Sequence, residues 1–170
     1  MTTLVTFEIA RSYGVLTLLD PAPAAPLLDK LWHLTDLIVP NEVEAASLTS
    51  LPVPNPAEAE TAARTLQARG PKRVVVTLGE QGALVLDEQV SHFGAERVKV
   101  VDTTGAGDAF VGSLAFYLGT GYALSEATER ATTVATLSVQ KRGTQTSFPH
   151  AEEVRAHLES RDTKRFEGGL

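Results

Sequence analysis

The stretch DTTGAGDAF, Asp102 to Phe110, combines the parts that phosphoryl transfer asks of a protein. It follows a valine-rich segment and opens an apolar helix-like run. A helix start presents unpaired backbone N–H groups and roughly half a positive charge, so it attracts anions. Gly105 and Gly107 let the backbone come close to an anion, and Asp108 on the first turn is placed to take a proton from an attacking hydroxyl. The N–H groups would then steady the charge on the transferring phosphoryl. An ordinary turn followed by a helix with an acidic first residue uses the same letters. On this stretch alone both readings stand.

Three other loops carry compatible chemistry. PNEVEA places Asn41 and Glu44 at i, i+3 after an apolar run, an amide for a nucleotide phosphate and a carboxylate for the water shell of Mg²⁺. An N-cap Asn with a first-turn Glu has the same spacing. TLGEQGA sets Thr77 and two glycines after the strongest strand signal, where open α/β sheets bind ligands, although a plain hairpin turn fits too. KRGTQTS gathers carbonyls, a glycine and Ser147. Four turn-like loops equipped for phosphate or cation together favour a nucleotide site. The P-loop pattern G-x-x-x-x-G-K-[ST] does not occur, nor does G-x-G-x-x-G, so neither of those phosphate cradles is the device.

The elements that must position these loops alternate in period. VLTLLD (15–20), DLIVPNE and VVVTLG (74–79) read as strands, the last β-branched as a strand buried on both faces should be. GALVLD follows, and VSHFGAERVKVVD suggests antiparallel pairing around Gly94. Residues 4–13 read as a helix that should cross over to the first strand from an earlier one. A helix is expected after the N-cap Asn55 and Pro56, with Ala59, Ala62, Ala63 and Leu66 as its inward stripe and Gly70-Pro71 as its stop. Further helices are expected over 107–118, 125–140 and 151–160, with a frayed polar tail over 161–170. The implied fold is a three-layer α/β/α arrangement, a partial Rossmann-like one, whose sheet is mostly parallel with some antiparallel C-terminal strands. Residues 1–160 would form a single domain.

Composition narrows the partners. A chain of 170 residues, 43% hydrophobic, can bury one core. A formal charge of -6 with scattered basic residues argues against nucleic acid or an anionic membrane. There is no cysteine, so thiolate chemistry and disulfides are excluded. No apolar run reaches spanning length and no leader pattern is visible, which gives a cytoplasmic expectation with nuclear access left open.

VDTTGAGDAFVGSLAFYL closely resembles the C-terminal signature of the ribokinase-like (PfkB) sugar and nucleoside kinases. DPAPA, PNEVEA, VVVTLGEQGA and SVQKRGTQTSFP follow in that family's order, and PNEVEA and GTQTSFP point to its ribose-phosphorylating branch. The resemblance runs over roughly 3–158. It implies ATP-dependent phosphorylation of D-ribose at O5, with Asp108 as the base that also meets the sugar, and Gly105, Ala106 and Gly107 as the anion hole. It implies that Asn41, Thr77, Leu78, Gly79, Glu80, Gln81, Gly82, Gly107, Asp108 and Thr132 lie along ATP, and that Glu44 holds Mg²⁺ through water. Asp102, Thr104, Ser138, Lys141, Gly143 and Ser147 match the positions of an activating monovalent cation such as K⁺, several through their carbonyls. Thr132 stands where the family often has Asn or His, and Asp20 replaces the usual Asn before PAPA.

The N-terminal strands, the β lid and the Gly-Gly…Asn sugar motif of that family have no counterpart in this sequence. The chain therefore reads as the ATP, cation and base half of such a kinase, with weak or no turnover by itself. A non-catalytic nucleotide-binding role, or the half of a different PfkB sugar or nucleoside kinase, remains the alternative. A homodimer is expected only of a full-length parent that carries the lid.

Overall fold

The computed structural model describes the backbone of residues 2–167 and the side chains of residues 2–161. Contacts divide the chain into two compact units, Met1–Gly94 and Ala95–Leu170.

Among the described residues, the first unit holds all the strands. Helix α1 (Thr2–Ser12) leads to β1 (Leu18–Leu19), then α2 (Asp29–Leu34), β2 (Leu37–Ile38), α3 (Glu42–Thr49), α4 (Pro56–Gln67), β3 (Arg73–Thr77), β4 (Ala83–Leu86) and β5 (Val90–Phe93). The sheet order is β1-β2-β3-β4-β5, with β1, β2 and β3 parallel and β3, β4 and β5 antiparallel. The mixed α/β architecture is thus the expected one. Val74, Val75 and Val76 are fully buried, as a strand covered on both faces requires. Asn55 caps α4 by accepting the N–H of Ala57 (2.9 Å) and of Glu58 (3.4 Å), and Ala59, Ala62, Ala63 and Leu66 are fully buried against the sheet core.

Three expectations need correction. The first strand is two residues long rather than six, because Val15 and Leu16 have no ladder partner and stay exposed. The pairing expected around Gly94 does not form. The antiparallel turns fall earlier, at 79–82 and 87–89, and residues 94–100 follow as irregular chain. The tail is not frayed at 161, since α7 (Ala151–Glu167) continues through most of it, and 168–170 lie outside the described residues. The short α2 and the cap at Asn41 that begins α3 complete the elements; α2 has no side-chain N-cap bond, which left it without a sequence signal.

The strand starts of this unit converge on Asp36, immediately before β2. Its carboxylate meets Arg11 of α1 (2.6 Å) and Lys72 before β3 (3.0 Å), and accepts the N–H and the hydroxyl of Thr17, each at 3.1 Å. Burial by itself raises the pKa of Asp36, but the Lys72 ammonium, the Thr17 N–H, Arg11 and the Thr17 hydroxyl outweigh it and hold the group at about 2. One buried carboxylate therefore fixes α1 and three strand starts.

The second unit contains α5 (Ala106–Gly119), α6 (Leu124–Ser138) and α7. Expected boundaries of 107–118 and 125–140 agree within two residues. Helices α5 and α6 pack against each other, and Ala109, Phe110 and Leu114 of the first and Ala127 and Ala131 of the second are buried. Arg130 of α6 lies 4.5 Å from the ring of Tyr122 and 5.6 Å from that of Tyr117, closing the turn between them.

Replacing Asp36 by Asn should lower stability by about 2 kcal/mol at neutral pH, read from urea unfolding. The folded pKa lies below the ordinary 3.8, so the contribution is complete above that value and is lost as pH falls towards 2. The gap between the parent and Asp36→Asn should close over that window; a gap unchanged from pH 5 to pH 2 would contradict the account.

Candidate functional site

Helix α5 begins on Gly105, whose φ of +81° is a left-handed conformation that suits glycine. A Cβ there would also meet Thr144 Cα at 3.3 Å and the Phe148 ring at 3.4 Å, so the loop after α6 closes directly onto this corner. The turn spends the Ala106 N–H on Thr103 (3.2 Å), and the helical ladder resumes with Ala109 donating to Gly105 (2.9 Å). Between them, the N–H groups of Gly107 and Asp108 belong to the first turn, which has no intrahelical carbonyl to offer. The Asp108 side chain is exposed on that turn. This arrangement can receive an anion on backbone amides and keep a carboxylate beside it.

Asp102 ties the approach to α5 to the loop after α6. Its Oδ1 accepts the Thr104 N–H (2.9 Å) and its Oδ2 accepts the Gly143 N–H (3.0 Å). The hydrogen bond from the Thr104 side chain, then the N–H groups of Gly143 and Thr104, hold Asp102 at about 2, against a smaller opposing effect of burial. The carbonyl of Val139 accepts the N–H of Val101 (2.8 Å) and of Asp102 (3.2 Å), a second tie between the same segments. Gly143 takes φ +99°, and a Cβ there would collide with the Thr146 hydroxyl, so the loop turns only with glycine. The Ser138 carbonyl accepts the Lys141 N–H (3.2 Å), and Ser147 is buried with its hydroxyl donated to Thr144 (2.6 Å). Asp102, Thr104, Ser138, Lys141, Gly143 and Ser147 thus belong to one hydrogen-bonded loop pair. Carbonyls, a hydroxyl and a permanent carboxylate are hard oxygen donors, which suit a monovalent cation.

Two groups escaped the sequence reading. Glu153, on the first turn of α7, accepts from Lys141 Nζ (2.7 Å) and from the His150 N–H (2.8 Å), and so anchors the loop from its far side. The i, i+3 spacing of His150 and Glu153 was the available signal. Thr144 and Phe148, which wall Gly105, lie inside a motif already singled out, but their contact with Gly105 is long-range.

Thr132 is buried on α6 and donates its hydroxyl to the Thr128 carbonyl (2.9 Å), so that hydroxyl's proton is engaged by its own helix.

In the first unit, the C-terminal ends of β2 and β3 are adjacent. Thr77 donates its N–H to Pro40 (3.0 Å) and bridges in parallel to Asn41. Asn41 and Glu44 form a capping box: Oδ1 of Asn41 accepts the Glu44 N–H (2.8 Å), and Oε2 of Glu44 accepts the Asn41 N–H (2.9 Å). The box engages one oxygen of each side chain, leaving Nδ2 of Asn41 as a donor and Oε1 of Glu44 as an acceptor. Residues 78–82 close the β3–β4 hairpin, with the Leu78 N–H donated to the Gly82 carbonyl (2.7 Å), the Gly82 N–H donated to the Gly79 carbonyl (3.1 Å), and Gly79, Glu80 and Gln81 exposed. The hairpin and capping-box geometries are both present, and neither consumes the groups a ligand would need. Among the described residues no cluster of three His, Cys, Asp or Glu side chains is placed to hold a metal directly. None of the helices, over the described residues, is long and apolar enough to cross a membrane.

Residues 2–151 match the family model described as pfkB family carbohydrate kinase. The chain is 43% identical over 157 residues to ribokinase of Mus musculus, covering 89% of this chain and 49% of that protein. It is 40% identical over 153 residues to deoxyribokinase of Salmonella typhi, covering 89% of this chain and 50% of that one. The structure of Arabidopsis thaliana ribokinase complexed with ribose and ATP superposes with a TM-score of 0.86 at 28% identity, over 91% of this chain and 51% of that one. The chain spans about half the length of each.

If the Asp102 carboxylate holds the loop, the Gly143 amide should report its titration. Followed by NMR, that amide should shift with a midpoint near 2: the bond is complete above the ordinary 3.8 and lost as pH falls through the folded value. Asp102→Asn should raise Gly143 amide exchange at neutral pH. A midpoint near 4, or unchanged exchange, would mean that the carboxylate is not what holds the turn.

Proposed function

The chain belongs to the pfkB family of carbohydrate kinases, and on that footing we propose that it carries the ATP, cation and base half of an enzyme phosphorylating O5 of D-ribose. The observation that carries this reading is the start of α5: a left-handed Gly105, first-turn amides at Gly107 and Asp108, and the exposed Asp108 carboxylate beside them.

In the proposed reaction the Asp108 carboxylate accepts the proton of the sugar hydroxyl as that oxygen bonds to the γ-phosphorus of ATP. The bond from phosphorus to the bridging oxygen breaks, and ADP leaves with the electron pair. The amides of Gly107 and Asp108, on the turn that Gly105 and Ala106 form, steady the equatorial phosphoryl oxygens. Asn41 Nδ2 donates to a phosphate, and the hairpin residues Thr77 to Gly82 run beside the nucleotide. Gly107 also contributes to nucleotide binding, and Thr132 through packing rather than through its engaged hydroxyl proton.

The donor sets fit the ions that such a reaction uses. Oε1 of Glu44 can accept from a Mg²⁺-bound water, which suits a metal that keeps its waters and phosphate ligands. The carbonyls of Thr104, Ser138, Lys141 and Gly143, with Asp102 and Ser147 Oγ, suit a monovalent cation such as K⁺. When bound, these ions offset the negative charge gathered at the phosphates.

Ribose is favoured over other sugars by the identity to ribokinase, yet a deoxyribokinase is nearly as similar. The determinants of that choice lie in the sugar-side half. A second reading is nucleotide binding without catalysis. On either reading, a cytosolic setting suits a kinase of soluble sugars.

Asp108→Asn, made in a protein carrying both halves of the domain, should lower kcat about 10²–10⁴-fold with ATP affinity retained. A coupled ADP-release assay and calorimetry with ATP and Mg²⁺ measure the two separately. Retained turnover would remove Asp108 from the base role. In the same assay with ribose, ATP, Mg²⁺ and K⁺, the isolated chain should give little turnover; robust activity would contradict the division of labour between halves.

A further inference from the structure

Helix α7 turns one polar face to two irregular segments. Glu153, His157 and Arg161 recur at i, i+4 and i+8, so they stand along a single side of the helix. Glu153 holds Lys141 of the loop after α6, at 2.7 Å. His157 and Arg161 hold Glu96: Nε2 of the ring lies 3.0 Å from both carboxylate oxygens, and Arg161 Nε lies 2.9 Å from Oε1. The guanidinium has two further arms. One terminal nitrogen donates to the Thr133 hydroxyl (2.9 Å) and the other to Oε1 of Glu129 (3.1 Å), both on α6. The Thr133 hydroxyl is itself donated to the Glu129 carbonyl (3.2 Å), which holds that acceptor in place. All three nitrogens of Arg161 are therefore engaged, on two segments besides its own helix. The side chains of Arg161, Glu96, Glu129 and His157 are 26–38% exposed, so solvent ions screen this network less than a pair standing free in water. A planar guanidinium serving several acceptors also fixes geometry in a way that an isolated surface pair does not.

The position of Glu96 in the chain gives the network its consequence. Residues 95–100 are irregular, and among the described residues none of them makes a backbone-to-backbone hydrogen bond. The first such tie is the Val101 N–H to the Val139 carbonyl (2.8 Å), and Asp102 and Gly105 follow directly. Glu96 thus fixes the approach to α5 from its N-terminal side. The other wall of that corner, the loop after α6, is held by Glu153 on the same face of α7. Arg161 serves both segments: it grips Glu96 itself, and its bonds to Glu129 and Thr133 set α7 against α6, which places Glu153.

We propose that Arg161 is a positioning residue for the opening of α5, acting through Glu96 on the segment that carries Asp102 and through α7 on the loop that packs against Gly105. The inference rests on the nucleotide reading of that corner, but its first test needs no nucleotide.

Amide exchange of the chain, followed by NMR without ligand, should rise at least fivefold at Thr104 and Gly143 in Arg161→Ala and in Glu96→Gln. Exchange at Leu114, buried on α5, should stay within twofold and shows that each variant is folded. Arg161→Lys should behave as Arg161→Ala, because one ammonium cannot serve three acceptors on two segments. Arg155→Ala, exposed on the same helix, should change nothing. In a second measurement, Mg²⁺-ATP should bind Arg161→Lys at least threefold more weakly than the parent. Unchanged exchange at Thr104 and Gly143 in the folded variants overturns the proposal. So does full rescue by lysine, which would reduce Arg161 to the packing of its stem, and so does a rise that extends equally to Leu114 in both Arg161→Ala and Glu96→Gln. Raised exchange with unchanged ATP affinity would separate the network from the site and equally overturn it. A parent chain that does not bind Mg²⁺-ATP would instead refute the nucleotide reading, and the ligand-free exchange ratios would still decide whether Arg161 positions the corner.

Discussion

An anion can be gripped by backbone only where amides are left without partners, and a folded chain tolerates that at few places. Gly105 creates one of them. Its left-handed φ starts α5 abruptly, and the Thr144 and Phe148 contacts leave little room for a side chain. The neighbouring features follow from this corner. Asp108 stands on the first turn of that helix, beside the unpartnered amides. Asp102 is useful because it fixes Thr104 on one side of Gly105 and Gly143 on the loop that packs against it.

The first unit separates anchoring from chemistry along its strands. At the strand starts, Asp36 collects Arg11, Lys72 and Thr17 into a buried charged knot. Such a knot is stable because the carboxylate is fully partnered; taking away one partner exposes the cost of burying the rest. At the strand ends, Pro40, Asn41 and Thr77 join two loops with backbone bonds and a capping box. Open α/β sheets bind ligands at that end, where irregular backbone can present polar groups without breaking the ladder. The capping box illustrates why a structural and a ligand role need not compete. It engages one atom of each side chain and leaves the other.

Legibility in the sequence followed the range of the interactions. The inward stripe of α4, its Asn55 cap and the start of α5 depend on residues within four positions of each other, and they could be read directly. Asp36 could not, because its partners come from 25 residues before it and from the far side of α4. The strand expected over 15–20 shrank to two residues for the same reason: β-branched and apolar letters make a strand only where a neighbour completes the ladder. Val100 and Val101 repeat the lesson, strand-like in sequence yet exposed in irregular chain. At the candidate site, residue types and order singled out the loop after α6, whereas its lock by Glu153 through Lys141 appears only once α7 is folded.

The central claim is that the amides opening α5 bind the phosphates of a nucleotide. It is tested most directly by following the backbone amides of the chain by NMR during separate titrations with Mg²⁺-ATP and with adenosine. The account predicts large downfield shifts of the Gly107 and Asp108 amides with the triphosphate and little movement of either with adenosine. Equal responses to both, or binding of ATP that leaves those two amides unmoved, would contradict it.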